Sequence, residues 1–494
     1  MVSTTTGRRP SVLIIGAGFG GLAVATELVR AGFADFTILE RAEEIGGVWR
    51  ANTYPGAGCD IPSPLYSFSH RPNPDWPRRF SLQPAIKRYL EDVAREYGVT
   101  DRIRFGTGVA SAEFDESSRR WRVHTEAGEV IEADVLVPAV GQLSRPAIPE
   151  IAGRDSFRGP AFHSANWDHD CDPAGKRIAV IGTGASAVQF VPHLQRVAKQ
   201  VTVFQRSAPW VVPKNDVAYS RWQRRLFRRL PVTQKIERLR IWLVCELLSL
   251  GLVDVPLVRW FLGRLGTRHL ARQVPDPQLR DKLTPDYPPG CKRALFSNDY
   301  YPALTRPNVT VATEKIVEIL PAGVRTADGV VHEADVLVYG TGFHATDFLV
   351  PMTVRGRGGI DLAQRWRDGA WAYLGMTVPG FPNLFLAYGP NTNLGGNSIV
   401  FMLESQARYI VQAVRALASR PGAALDVKPE VAARFDSVLQ RRLARSVWTR
   451  CASWYRTETG RIVNNWPGTV TRYRRRTRRL DLRDYRALTG EEAA

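Results

Sequence analysis

The stretch SVLIIGAGFGG, residues 11–21, decides the fold. Gly16, Gly18 and Gly21 follow a short apolar run of strand type, and a helical pattern begins directly after them. A second strand, FTILE, ends in Glu40, nineteen residues past the last glycine. Gly16 allows a tight turn, Gly18 lets the backbone approach a pyrophosphate, and Gly21 permits close helix packing. Because Glu40 is placed to bind ribose hydroxyls, the stretch predicts a βαβ unit for an adenine dinucleotide.

The same pattern returns in residues 177–189, RIAVIGTGASAVQ. Gly182 and Gly184 form the turn, and Ala187 stands where alanine can replace the third glycine. The next strand ends in Arg206, nineteen residues past Ala187, where the first unit has its acid. An acid there would repel a 2′-phosphate, whereas arginine pairs with it, so the first unit predicts FAD and the second NADPH. A surface arginine after a strand is the alternative. The other NADPH contacts are predicted at Thr183, Ala185, Ser186, Gln189 and Ser207.

An internal repeat supports two domains of one plan. EADVLVPAVG, residues 132–141, returns as EADVLVYGTG at residues 333–342. We predict an α/β fold with two dinucleotide-binding, Rossmann-like, three-layer domains and a helical insertion. The predicted parts are residues 1–150 for FAD, 151–334 for NADPH with an insertion at about 215–290, and 335–494 for the second FAD part and the C-terminal segment.

Length, charge and cysteines limit the class of protein. The 494 residues suffice for about three domain-sized units, and the net charge of +19 suits anionic partners. No helix-turn-helix, zinc finger or RNA-binding signature is present, which argues against nucleic acid. Five cysteines without a C-x-x-C pair argue against a disulfide scaffold, a zinc site and a dithiol reductase. We expect no metal, no secretion signal, and a reducing cytoplasm as the location.

The insertion carries a long apolar run, IWLVCELLSLGLVDVPLVRWFLGRLG. Its length is near that of a bilayer span, but Glu246, Asp254, Pro256 and Arg259 interrupt it, which argues against a spanning helix. Helices that cover the second domain are the main prediction. A basic amphipathic surface that touches a membrane through residues 218–265 is the alternative.

FRGPAFHSANWD, residues 157–168, lies between the two glycine loops. Phe157, Gly159, His163 and Trp167-Asp168 spell F-x-G-x-x-x-H-x-x-x-W-D. This pattern resembles the fingerprint of the type I Baeyer-Villiger monooxygenases. The related flavin-containing monooxygenases end it in Tyr or Phe, so the Trp-Asp ending favours the first family. Five spaced matches between two dinucleotide loops outweigh a packing role for a lone histidine.

Two further motifs match the same family. GGVWRANTYPGAGCD contains Gly47, Trp49 and Asp60, and the resemblance implies that Asp60 and Tyr66 lie against the flavin, with Val109 as another cofactor contact. Gly58 departs from the family, in which some members have arginine there. In PPGCKRALFSNDYY, the resemblance implies that Lys292 reaches the NADPH 2′-phosphate and that Arg293 faces the flavin peroxide. The residues expected to be catalytic are Arg293, Asp60, His163 and Trp167, the last two by coupling domain rotation to catalysis.

The resemblance implies an FAD-dependent, NADPH- and O2-consuming monooxygenase that converts a ketone into an ester or lactone through a C4a-peroxyflavin. Three alternatives stay open at this point. One is a flavin-containing monooxygenase that oxygenates N or S atoms. The second is an uncoupled NADPH oxidase or flavin reductase, and the third is a basic membrane- or nucleic-acid-binding protein with a nucleotide fold but no oxygenation.

Overall fold

The computed structural model describes residues 9–253 and 255–489. Residues 1–8, on which the prediction of no secretion signal partly rests, and the interrupting Asp254 lie outside the described residues. The strands are β1 (Val12–Ile15), β2 (Phe36–Leu39), β3 (Ile103–Arg104), β4 (Val109–Asp115), β5 (Arg120–Thr125), β6 (Val130–Ala133), β7 (Val135–Pro138), β8 (Ala161–His163), β9 (Arg177–Ile181), β10 (Gln200–Phe204), β11 (Val211–Val212), β12 (Leu295–Phe296), β13 (Val309–Ala312), β14 (Ile316–Leu320), β15 (Gly323–Thr326), β16 (Val331–Glu333), β17 (Val336–Tyr339), β18 (Thr353–Arg355), β19 (Ala424–Val427) and β20 (Tyr485–Leu488). The helices are α1 (Phe19–Arg30), α2 (Val48–Ala51), α3 (Gln83–Glu96), α4 (Ala185–Gln195), α5 (Arg221–Arg229), α6 (Pro231–Val253), α7 (Pro256–Gln273), α8 (Pro277–Lys282), α9 (Tyr300–Leu304), α10 (Leu362–Arg365), α11 (Ile399–Ala418), α12 (Pro429–Leu443) and α13 (Val470–Arg476).

The first domain is a parallel sheet with the order β3-β2-β1-β7. Helices α1 and α11 pack against each other in its main core, and the mixed sheet β18-β4-β5-β6 adds a further layer. The glycine loop joins β1 to α1. A Cβ on Gly21 would lie 1.9 Å from the carbonyl oxygen of Gly16, so the helix can begin this close to the strand only with glycine there.

The second domain repeats the plan with the parallel order β13-β10-β9-β17-β8. The two copies of the internal repeat occupy equivalent strands, because β7 pairs with β1 and β17 pairs with β9. The α/β fold with two dinucleotide-binding domains is therefore confirmed. The boundary predicted after residue 334 is too early, since β17 at Val336–Tyr339 hydrogen-bonds within the second sheet.

Helices α5 to α8 lie between β11 and β12, which form a two-stranded parallel ribbon. Helix α7 approaches this ribbon closely, because a Cβ on Gly266 would be 2.8 Å from the Trp210 ring. Within the described ranges no single helix is long and apolar enough to cross a membrane, and α6 with α7 meets that criterion only as a bent pair.

Candidate active site

One cavity of about 2140 Å³ runs between the two glycine loops. The sequence-predicted residues in its lining are Gly16, Gly18, Glu40, Gly47, Trp49, Asp60, Tyr66, Val109, Gly182, Thr183, Gly184, Ala185, Ser186, Gln189, Arg206, Ser207, Lys292 and Arg293. Gly21, His163 and Trp167 are not part of the lining. The fold thus brings most of the predicted site together from segments that are far apart in the chain.

Both glycine loops present a free helix N-terminus to this cavity. Gly18 caps α1 and Gly184 caps α4, each in extended backbone and each without a side-chain hydrogen bond to the cap. A Cβ on Gly184 would have the Gly340 carbonyl oxygen 3.6 Å away as its nearest neighbour, and one on Gly18 the Gly47 Cα at 3.5 Å. Unpaired N–H groups and space beside the backbone fit a pyrophosphate at each loop.

Glu40 has a second role beside the predicted one. Its two carboxylate oxygens accept hydrogen bonds from the backbone N–H of Ala17 at 2.7 Å and of Ala42 at 2.9 Å. The acid therefore fixes the first glycine loop while its side chain still lines the cavity. Each carboxylate oxygen has a further lone pair, so both roles are compatible.

Two cations share the corner of the cavity beside the second loop. Lys292 Nζ donates to Ser207 Oγ at 2.8 Å, and Thr183 Oγ1 donates to the Ser207 carbonyl oxygen at 3.2 Å. Burial, together with the nearby Arg206 guanidinium, lowers the pKa of Lys292. Arg206 forms no ion pair with any residue that the structure describes. Two like charges in one wall fit an anion such as a phosphate group.

Gln189 joins the two domains across the cavity. Its side-chain oxygen accepts hydrogen bonds from the Tyr54 hydroxyl at 3.0 Å and the Gly58 N–H at 3.1 Å, and its Nε2 donates to the Gly58 carbonyl at 3.0 Å. A Cβ on Gly56 would lie 2.6 Å from His193 Nε2 of helix α4. The departure from the family at Gly58 thus coincides with hydrogen bonds between the Gln189 side chain and the Gly58 backbone.

Asp60 lies between two cations. Its Oδ2 is 4.0 Å from Arg293 Nε, and its Oδ1 is 3.8 Å from Lys214 Nζ. Burial alone would lower the pKa of Arg293, but Asp60 and the phenols of Tyr455 and Tyr388 raise it above its usual value. The guanidinium is therefore a permanent positive charge in the cavity wall. Lys214 carries no local motif and was missed by the sequence analysis.

The residues shortly before and after the Lys292-Arg293 pair in the chain are fixed by contacts with other segments. Downstream, the Leu295 N–H donates to the Trp210 carbonyl at 2.8 Å in the ribbon of β11 and β12. Upstream, Cys291 forms a disulfide with Cys451, which leads into the cavity-lining residues 452–454. The cysteine spacing argued against a disulfide scaffold but did not predict this single bond, because the fold joins positions 160 residues apart. Cys59, Cys171 and Cys245 are free.

We expect the Cys451→Ser variant to lose about 2 to 4 kcal/mol of unfolding free energy, because the crosslink restricts the unfolded chain. Thiol titration in denaturant should find three of the five thiols free in the wild type, and all five after reduction. Urea unfolding measures the stability, with Cys171→Ser as the control at a free and partly exposed cysteine. Five free thiols before reduction would show that the bond does not form.

His163 and Trp167 lie behind the cavity wall. The backbone N–H of Ala165 donates to His163 Nδ1 at 3.1 Å, and the imidazole ring lies 5.4 Å from the ring of Phe343, which lines the cavity. Burial lowers the pKa of His163. Trp167 packs 6.4 Å from the ring of Tyr54, another lining residue. A catalytic role for His163 and Trp167 stays a prediction, and it would act through these neighbours.

The predicted flavin side of the cavity is aromatic. Trp49 Nε1 donates to the Tyr66 hydroxyl at 3.1 Å, and the two rings meet edge to face. The Gln83 side chain donates to the Trp49 carbonyl. Burial holds the pKa of Tyr66 well above its usual value, so the phenol stays neutral and can donate a hydrogen bond.

Two dinucleotide-binding domains around one cavity with a central arginine define an oxidoreductase that uses two dinucleotides. Residues 13–240 match the family model of pyridine nucleotide-disulphide oxidoreductases. The chain is 46 % identical over 480 residues to a Baeyer-Villiger monooxygenase of Streptomyces coelicolor, covering 97 % of this chain and 92 % of that protein. A Baeyer-Villiger monooxygenase of Pseudomonas aeruginosa is 44 % identical over 490 residues, with 99 % and 93 % covered.

Solved structures of monooxygenases match the fold of this chain. An oxidized steroid monooxygenase bound to NADP matches with a TM-score of 0.87 and 30 % identity, over 97 % of this chain and all of that one. A cyclohexanone monooxygenase from Rhodococcus sp. bound to NADP+ matches with a TM-score of 0.87 and 27 % identity, over 97 % and 99 %. The chain therefore belongs to the Baeyer-Villiger monooxygenases, as its fingerprint predicted.

Proposed function

We propose that the enzyme converts a ketone, O2, NADPH and a proton into an ester or lactone, NADP+ and water. FAD is held by the first loop through Gly18, Glu40 and the aromatic wall of Trp49 and Tyr66. NADPH is held by the second loop, with its 2′-phosphate at Arg206 and Lys292. When bound, FAD and NADPH supply the redox chemistry, and the protein supplies orientation and charge.

The observation that carries this proposal is the position of Arg293. Its guanidinium lines the cavity between the two loops and stays charged. Addition of a nucleophile to a ketone places negative charge on the carbonyl oxygen, and a fixed cation in a site with little water stabilises that charge. Asp60 is the counter-ion of the guanidinium, and Lys214 shares the same carboxylate from the other side.

The test incubates the FAD-loaded enzyme with NADPH, O2 and a panel of cyclic, linear and aryl ketones. NADPH oxidation matched by a product one oxygen heavier than the ketone supports the proposal. Hydrogen peroxide equal to the NADPH consumed with every ketone would indicate an uncoupled oxidase. Sulfoxide from a thioether without ester from any ketone would indicate a heteroatom oxygenase.

Arg206→Ala should raise the KM for NADPH about tenfold and leave the KM for NADH nearly unchanged. The lost charge-assisted contact is worth roughly 1.5 kcal/mol at an exposed site. Steady-state kinetics with both cofactors measures the change. Arg196→Ala removes an exposed arginine of the same domain outside the cavity lining and serves as the control. Equal losses with NADPH and NADH would contradict the assignment of Arg206.

We propose the cytoplasm as the location, because Cys59, Cys171 and Cys245 are free thiols. The Cys291–Cys451 bond counts against a strongly reducing compartment. Alkylation of the cysteines at the moment of cell lysis shows whether the Cys291–Cys451 bond exists in the cell. Five alkylated cysteines support a reducing cytoplasm, and three indicate that the bond exists in the cell.

A further inference from the structure

Helix α6 turns several of its apolar side chains to solvent and several of its polar side chains to the protein. Leu243 and Leu247 are 55 % and 59 % exposed, whereas Gln234 and Glu246 are buried. Glu246 Oε1 accepts hydrogen bonds from the backbone N–H of Thr471 at 2.9 Å and from its hydroxyl at 2.7 Å. A surface helix in water normally shows the reverse polarity. The outward face of α6 therefore fits an apolar surrounding.

The start of α7 continues this apolar surface. Leu257, Trp260 and Phe261 are 70 %, 60 % and 61 % exposed, and they follow each other at helical spacing. Among the described residues, 13 of the 24 exposed large apolar side chains lie between residues 217 and 261, so the exposure is concentrated in the insertion. We call one group of these side chains the apolar tip. It consists of Leu243, Val244, Leu247, Leu250, Leu257, Trp260 and Phe261.

Cations lie next to the apolar tip along both helices. On α7, Arg264 lies one turn after Trp260, or about 6 Å along the axis, and its guanidinium carbon is 5.6 Å from the centre of the Trp260 ring. On α6, Lys235 lies about 12 Å before Leu243. Lys235, Arg264, Arg268 and Arg272 form the basic collar. None of the four makes an ion pair with a residue in the described ranges.

We propose that the apolar tip and the basic collar dock the enzyme on the surface of an anionic lipid bilayer. The apolar tip enters the boundary between headgroups and acyl chains, and the basic collar lies at the height of the headgroup phosphates. An interfacial Trp beside an Arg suits this boundary, because the ring is amphipathic and the cation faces the phosphates. Residues 221–273 contain twelve basic and three acidic residues, which favours an anionic partner.

The inward contacts of α6 exclude a spanning arrangement for this helix. Gln234 donates to the Asn73 carbonyl, and Arg238 Nη1 donates to the Ser67 carbonyl at 2.9 Å. With Glu246 bound to Thr471, these contacts fix the polar face of α6 to the body of the enzyme, so only the outer face meets lipid. A second copy of the chain is the weaker occupant, since it would bring two collars of the same charge together.

The test sediments the FAD-loaded enzyme with extruded vesicles, either pure phosphatidylcholine or an equal mixture of phosphatidylcholine and phosphatidylglycerol. We expect binding to the anionic vesicles to be at least about tenfold tighter than to the neutral ones, and to weaken at 0.5 M salt because the charges are screened. No substrate is present, so failure of binding leaves the proposed ketone oxidation unaffected.

Two variants separate the contribution of the apolar tip from that of the basic collar. L247S/W260S/F261S should bind anionic vesicles at least about tenfold more weakly, because its tip no longer buries apolar surface. R264Q/R268Q should lose about tenfold on anionic vesicles and little on neutral ones. The matched controls are V317S/V331S, at exposed valines of the second domain, and R475Q/R479Q, at exposed arginines of the C-terminal segment. Flavin absorbance and circular dichroism confirm the fold of each variant.

Three results would overturn the proposal. The first is equal binding of the wild type to neutral and anionic vesicles, or no binding to either. The second is wild-type affinity in both the tip and the collar variant. The third is light scattering that shows a wild-type oligomer dissociated by the tip substitutions while vesicle binding stays the same, which would assign the apolar tip to a second copy.

Discussion

Arg293→Ala is expected to keep bound FAD and to lose ester formation by about 10² to 10³ in kcat, or about 2.7 to 4 kcal/mol. The side chain is a permanent cation in the cavity wall. Its removal leaves the carbonyl oxygen without a partner when negative charge develops on it. The fold should survive, because Asp60 keeps Lys214 at 3.8 Å as its counter-ion. Arg293→Lys should recover only part of the activity, since lysine lacks the planar fork.

The measurement combines product mass with stopped-flow absorbance of flavin reduction. A catalytic role predicts that reduction by NADPH continues while ester formation stops. Lys214→Met serves as the control, because it removes the other cation beside Asp60 from outside the cavity lining. Ester formation by the Arg293→Ala variant at near wild-type rate would remove Arg293 from the mechanism.

The parts of the site that the sequence predicted are those with local causes. The contact between Gly16 and Gly21 joins residues five positions apart, so the strand, turn and helix that need it are visible in one stretch. The position of Arg206 at the end of its strand is likewise visible in one stretch of sequence. Arg293 and Asp60 are 233 residues apart in the chain, and only the family resemblance placed them together.

The missed features depend on long-range packing. Lys214 lies beside Asp60 in a segment that contacts Phe80, whose N–H donates to Asp216 Oδ1 at 3.2 Å, and nothing in its own segment marks it. The apolar run of α6 was visible in the sequence, but such a run does not tell which of its side chains face solvent. The observed orientation includes a contact of Glu246 with Thr471, 225 residues later. Such a partner cannot be read from the helix alone.

The two glycine loops offer a matched pair of variants. Gly18 and Gly184 both have negative φ, at −84° and −73°, so alanine fits the backbone at each. The nearest atoms to an added Cβ are at 3.5 Å and 3.6 Å, which are ordinary contact distances, so both variants should fold. By contrast, Gly21→Ala should unfold the loop, because its Cβ would meet a carbonyl oxygen at 1.9 Å.

Gly18→Ala is expected to give protein largely without FAD, whereas Gly184→Ala should keep FAD and lose NADPH affinity. In each case the methyl group enters the space where the pyrophosphate approaches the helix N-terminus. Crowding of this kind costs about 1 to 3 kcal/mol, or about tenfold or more in Kd. Flavin absorbance of the purified protein and titration with NADPH measure the two losses. Each variant is the control for the other. Loss of NADPH affinity in Gly18→Ala together with loss of FAD in Gly184→Ala would show that the first loop binds NADPH and the second FAD.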